Sequence, residues 1–143
     1  MMLGKIIRIN DVNSIMDTHH IKYIQADMEG YIIETDICTF KVLIDNYAQC
    51  CEDFGHVSSE DDLDYYINSE LLKVSITDTA LNKKILTKTG NEDDLNNYTE
   101  IQFVDFVTNR GTFQLAVYNS SNGYYGHGIK IIKDDEILLD SGL

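Results

Sequence analysis

The chain contains no proline and no tryptophan, so Pro-rich linkers and Trp-based carbohydrate platforms are both excluded. Glycine is scarce, at 9 of 143 residues, which rules out collagen-like repeats and glycine-rich low complexity. Basic side chains are few: 11 Lys plus Arg stand against 24 Asp plus Glu, for a formal net charge of −13 and a sequence pI near 4.4. A basic nucleic-acid binder is excluded by that balance. No stretch approaches the ~18 uninterrupted apolar residues of a membrane span. Met1 to Asn10 likewise holds no apolar run of signal-peptide length, so a cytoplasmic protein is expected. Cysteine is limited to Cys38, Cys50 and Cys51, an odd number that argues against a disulfide framework and for a reducing compartment.

What remains is ordinary for a folded chain: 43 % apolar and 24 % charged residues over a length suited to one domain, 1–143. Ile6, Ile7 and Ile9 predict a first strand that turns at Asn10 and Asp11. From Ile21 onward, apolar runs broken at Met28-Glu29-Gly30 and at Thr35-Asp36 predict successive antiparallel strands, with Gly30 as a positive-φ position. Ser58 and Ser59 before Glu60, Asp61 and Asp62 predict a hydroxyl-capped short helix with Leu63, Tyr66 and Ile67 on its apolar face. Leu72, Val74 and Ile76 alternate with Lys73 and Ser75 in a period-2 strand over Leu71 to Thr77. Lys83 to Asn97 reads as a loop, and Glu100 to Thr108 with Phe113, Leu115 and Val117 reads as a hairpin turning at Asn109-Arg110-Gly111. A strand through Ile129, Ile131 and Ile132 and a tail at Glu136 to Leu139 follow. Six or more strands with one or two helices that do not alternate regularly with them predict an α+β fold, mainly antiparallel sheet.

Two groups of residues carry candidate chemistry. Cys50, Cys51 and His56 lie within seven residues, and His127 sits in a Gly-flanked turn far along the chain. Thiolate sulfur and imidazole nitrogen are the donors a structural zinc prefers, commonly two from one knuckle and others from a distant segment. Adjacent cysteines depart from the usual knuckle spacing and need a turn at Gln49 to Glu52 to face one ion. Spacing alone favours the plainer reading, in which each Cys is a small buried hydrophobe and each His a surface imidazole. The second group is acidic: Glu60, Asp61, Asp62 and Asp64, with further acids at Glu92 to Asp94 and Asp134 to Glu136, are either solvated surface or a face for a basic partner. Tyr124 and Tyr125, beside Asn122-Gly123, either pack a turn onto the sheet or present a contact surface. Ser120 and Ser121 lack a G-x-S-x-G frame, the acids do not match a calcium loop, and neither G-x-G-x-x-G nor a P-loop occurs.

The segments NYAQCCED at 46–53 and VTNRGTFQLAVYNSSNGYY at 107–125, with GKIIRI near the start, resemble a small family of uncharacterised phage and prophage domains that pair a Cys-Cys-Glu element with a late Asn-Gly-Tyr-Tyr element. The resemblance implies an α+β domain in which the two elements approach each other, carrying His127 toward Cys50 and Cys51. Size, acidity and implied phage origin are also similar to the anti-CRISPR proteins, including zinc-containing inhibitors of type II-A CRISPR nucleases. The expectation from residues and resemblance together is a non-enzymatic inhibitor. Zinc at Cys50, Cys51, His56 and His127 would brace it. Glu60, Asp61, Asp62, Asp64, Tyr124 and Tyr125 would meet a host CRISPR nuclease and block DNA loading or cleavage. Two other classes stay open: a phage accessory or assembly protein, and a small metal-dependent hydrolase.

Overall fold

Antiparallel pairing dominates from the first residues onward. The computed structural model describes residues 3–17, 26–46, 53–89, 100–120 and 126–143. Strands β1 (Ile6–Asp17), β2 (Ala26–Thr35) and β3 (Thr39–Asp45) form a meander, and the hairpin of β8 (Gly128–Lys133) and β9 (Glu136–Gly142) extends it in the order β1-β2-β3-β8-β9. A second sheet has the order β4-β7-β6-β5, built from β4 (Phe54–Ser58), β5 (Leu71–Thr77), β6 (Glu100–Thr108) and β7 (Gly111–Asn119). Strands β5, β6 and β7 are successive neighbours, and β4 lies beside β7 after a long connection, which is Greek-key order.

The two sheets share one apolar core. Ile33, Phe40, Val42 and Ile131 of the first sheet cluster with Val104, Phe106, Phe113 and Leu115 of the second. Phe40 meets Phe106 edge-on at 6.0 Å between ring centroids, and Phe106 stacks on its cross-strand partner Phe113 at 5.1 Å. At one corner the sheets are also tied by backbone: Leu3 N–H donates to the Leu71 carbonyl and Leu71 N–H to that of Gly4, both at 2.8 Å. The segment leading into β1 therefore pairs with the start of β5, which sets where β1 stands relative to the second sheet.

The fold is mainly β, which corrects the α+β expectation. The helix expected near Ser58 is a four-residue 3-10 turn, Leu63–Tyr66, capped by Asp62 and not by a serine. Ser58 ends β4 and its hydroxyl accepts from Glu60 N–H. The turn stops early because Asn68 adopts φ 72° and Tyr66 is drawn into the core, 4.7 Å from the Phe113 ring. A six-residue helix, α1 (Lys83–Lys88), occupies the start of the expected 83–97 loop. Asn82 caps it by accepting from Ile85 N–H, and Ile85 is fully buried against Phe103 and Ala116.

Two expected turns are instead strand. Strand β1 runs through Asn10 and Asp11, because β2 pairs with it as far as Asp17↔Ala26, with irregularities between Ile6 and Arg8 and between Val12 and Ile15. Strand β2 runs through Met28-Glu29-Gly30 to Thr35. Gly30 does have positive φ, 148°, but in mid-strand, where an added Cβ would overlap the Val42 carbonyl of β3. The β6–β7 hairpin, β8 and the break after Thr35 stand as expected. Strand β5 does too, but its register shifts between Leu71 and Lys73, so Leu71 is buried while Leu72 and Ile76 are exposed.

Candidate functional site

A cleft of about 490 Å³ opens between the β1 edge of the first sheet and the β4 edge of the second. Strands β1 and β2 supply Ile9, Asp11 and Tyr31 to its wall; β4 supplies His56, Val57 and Ser58. The connection after β4 adds Glu60, Asp61, Asp62, Leu63 and Asp64, and α1 adds Lys88. Five carboxylates thus face one ammonium and one imidazole. The volume falls in the range of small-ligand and side-chain pockets, about 300 to 1,000 Å³.

His56 is the hinge of this arrangement. Its side chain is 7 % exposed, with Nδ1 2.6 Å from Glu29 Oε2 and Nε2 2.5 Å from Asp11 Oδ1. As an imidazolium it donates both N–H bonds, one to each carboxylate, and its ring packs edge-on against Tyr31 at 5.0 Å. Burial pulls the imidazole pKa down, but the hydrogen bonds and charges of Glu29 and Asp11 outweigh it, so the net shift is upward. The side chain thereby links β4 of one sheet to β1 and β2 of the other. Both nitrogens are committed, which leaves the ring no lone pair with which to activate a nucleophile.

Tyr31 lies directly across from Asp11 in the β1–β2 register, so the two side chains share a face. The residue is 4 % exposed, and its hydroxyl has no hydrogen-bond partner among the described residues. Burial and the Asp11 charge push its pKa up, so it remains a neutral phenol. At the other end of the cleft, Lys88 Nζ donates to the Ser58 carbonyl at 2.7 Å and lies 3.5 Å from Asp61, while Lys84 Nζ meets Asp61 at 2.6 Å. Those ammonium groups hold the Asp61 carboxyl below its usual range.

The expected site residues divide. Glu60, Asp61, Asp62 and Asp64 come together, and His56 joins them through Asp11 instead of joining His127. His127, just before β8, is 3 % exposed, stacks on Phe54 at 4.1 Å and sets Nδ1 2.6 Å from Asp45 Oδ1. Asp45 also accepts from Gly128 N–H at 2.7 Å, so this pair closes the β3–β8 end of the first sheet. Cys50, Cys51, Tyr124 and Tyr125 lie outside the described residues, as do Glu92 to Asp94. Among the described residues, no three or more His, Cys, Asp or Glu side chains gather in a way that could hold a metal ion. Asp11, Glu29 and Tyr31 were missed by sequence reasoning. The sequence pattern places Asp11 in a turn and Glu29 at a strand break.

Among the described residues, no helix is long and apolar enough to cross a membrane. No curated protein and no solved structure matches the chain. Residues 1–131 match the family model of a domain of unknown function, DUF7448. That match spans the three strands, the connection and the helix that line the cleft, and the chain belongs to the DUF7448 family.

Proposed function

We propose that this protein is a non-enzymatic binding module whose acidic cleft receives a basic segment of another protein. The observation that carries the reading is the gathering of Asp11, Glu60, Asp61, Asp62 and Asp64 around one cleft, on a chain whose net charge is −13. Complementary fields of this kind steer association and fix register more than they add raw affinity. A catalytic reading has less support, because both nitrogens of His56 are taken up by carboxylates.

The narrower form of the proposal is an anti-CRISPR protein of phage origin, acting in the host cytoplasm on the basic nucleic-acid channel of a type II-A CRISPR nuclease. It rests on the resemblance carried by residues 46–53 and 107–125 and on the acidic cleft, opposite in sign to such a channel. The proposal needs no zinc. His56 would have to give up a carboxylate to ligate, and His127 Nδ1 is hydrogen-bonded to Asp45. About one equivalent of zinc in purified protein, lost on Cys51→Ser, would restore the set of Cys50, Cys51, His56 and His127.

The test is retention of partners from a bacterial lysate by the wild type and by a variant with Glu60, Asp61 and Asp62 changed to Lys, followed by a DNA-cleavage assay on any nuclease retained. Loss of a specific partner by the variant, and loss of wild-type binding as salt shortens the Debye length below ~10 Å, are expected. Equal retention by both proteins contradicts the reading.

A further inference from the structure

The Tyr31 hydroxyl narrows what the cleft can hold. A buried hydroxyl without a partner is costly, and native structures rarely leave one unsatisfied without a role. This one forms part of the cleft wall beside Asp11, and it is 4 % exposed and unpaired among the described residues. Beside it the His56 ring meets the Tyr31 ring edge-on at 5.0 Å, and both side chains are nearly buried. The far end of the cleft already carries an ammonium, Lys88, on the Ser58 carbonyl. The open end therefore offers one exposed carboxylate, Asp11, and one unsatisfied phenol oxygen, set side by side on neighbouring strands.

Planar, weakly hydrated cations with several N–H donors in one plane suit such a pair. A guanidinium can give one N–H to a carboxylate and another, in the same plane, to a neighbouring oxygen. An ammonium is a compact, strongly hydrated charge and loses more on entering. Resting on the binding role proposed above, we infer that the cleft selects a guanidinium group, an arginine side chain of the partner, with Tyr31 Oη accepting one N–H and Asp11 taking the charge. Tyr31 is then the residue that distinguishes arginine from lysine, and the acids from Glu60 to Asp64 supply the field.

Isothermal titration of the full chain with three blocked tripeptides, Gly-Arg-Gly, Gly-Lys-Gly and Gly-citrulline-Gly, tests this, with agmatine as a free guanidinium competitor. The arginine peptide should bind, the lysine peptide several-fold more weakly, and the neutral citrulline peptide not at all. Tyr31→Phe should weaken the arginine peptide about fivefold, the worth of one net hydrogen bond, and bring it level with the lysine peptide, with melting temperature unchanged or raised. Competition by agmatine but not by its diamine counterpart putrescine would support guanidinium recognition, and equal competition by both would contradict it. Equal binding of all three peptides, or unchanged arginine affinity in Tyr31→Phe, overturns the inference. If lysate partners are lost on charge reversal while no arginine peptide binds, guanidinium selection fails and the acidic binding role stands. If partners survive charge reversal, the binding role fails.

Discussion

At His56 two carboxylates compete for credit, and exposure decides between them. Asp11 is 61 % exposed and Glu29 19 %, so water screens the first pair far more than the second. Glu29→Gln should therefore cost about 1.5 to 3 kcal/mol, the range for a hydrogen bond to a charged group, and Asp11→Asn less than about 1 kcal/mol; denaturant titration of both variants checks the order. The pH dependence follows from the direction of the imidazole shift. Because its folded pKa is raised, the clamp's contribution is complete below the ordinary value of 6.5 and is lost as pH rises through the higher folded value. The melting-temperature gap between wild type and His56→Gln should thus be larger at about pH 5.5 than at about pH 9. A gap that widens with alkali would mean that the ring is buried neutral.

Among the elements, β2 shows both what the sequence discloses and what it hides. Gly30 was legible as a positive-φ residue, because only glycine tolerates that backbone freely. Its reason was not legible: the chain needs close approach to the β3 carbonyl of Val42, not a turn. Gly30→Ala should cost about 3 kcal/mol or more, since strain and overlap act together, and thermal unfolding measures it. The β6–β7 hairpin was legible because its apolar alternation and its turn residues agree. Sequence propensity ends β1 early because Asp11, Asn13 and Ser14 are poor strand formers, and pairing with β2 holds them extended. Helix α1 was missed for a similar reason: six residues carry little periodicity, and burial of Ile85 beneath the second sheet makes the helix stable.

For the whole molecule, the acidic group from Glu60 to Asp64 was visible as charge, but its surroundings were not. Asp11 and Tyr31 lie far from it in sequence and are brought to it by the packing of the two sheets, which Leu3 and Gly4 tie to Leu71 at one corner. No local pattern encodes a cleft between the edges of two sheets, which is why Asp11 and Tyr31 are not legible as part of it. The same tie makes the cleft depend on the sandwich as a unit, so the clamp at His56 and the corner at Leu3 and Leu71 position a binding surface as well as stabilise the fold. Amide hydrogen exchange of the full chain with and without a saturating basic partner reads that surface directly. Slowed exchange concentrated at residues 9–12, 29–31 and 56–64 is the predicted result, and protection confined to the β5 or β9 edge, with those residues unchanged, would contradict it.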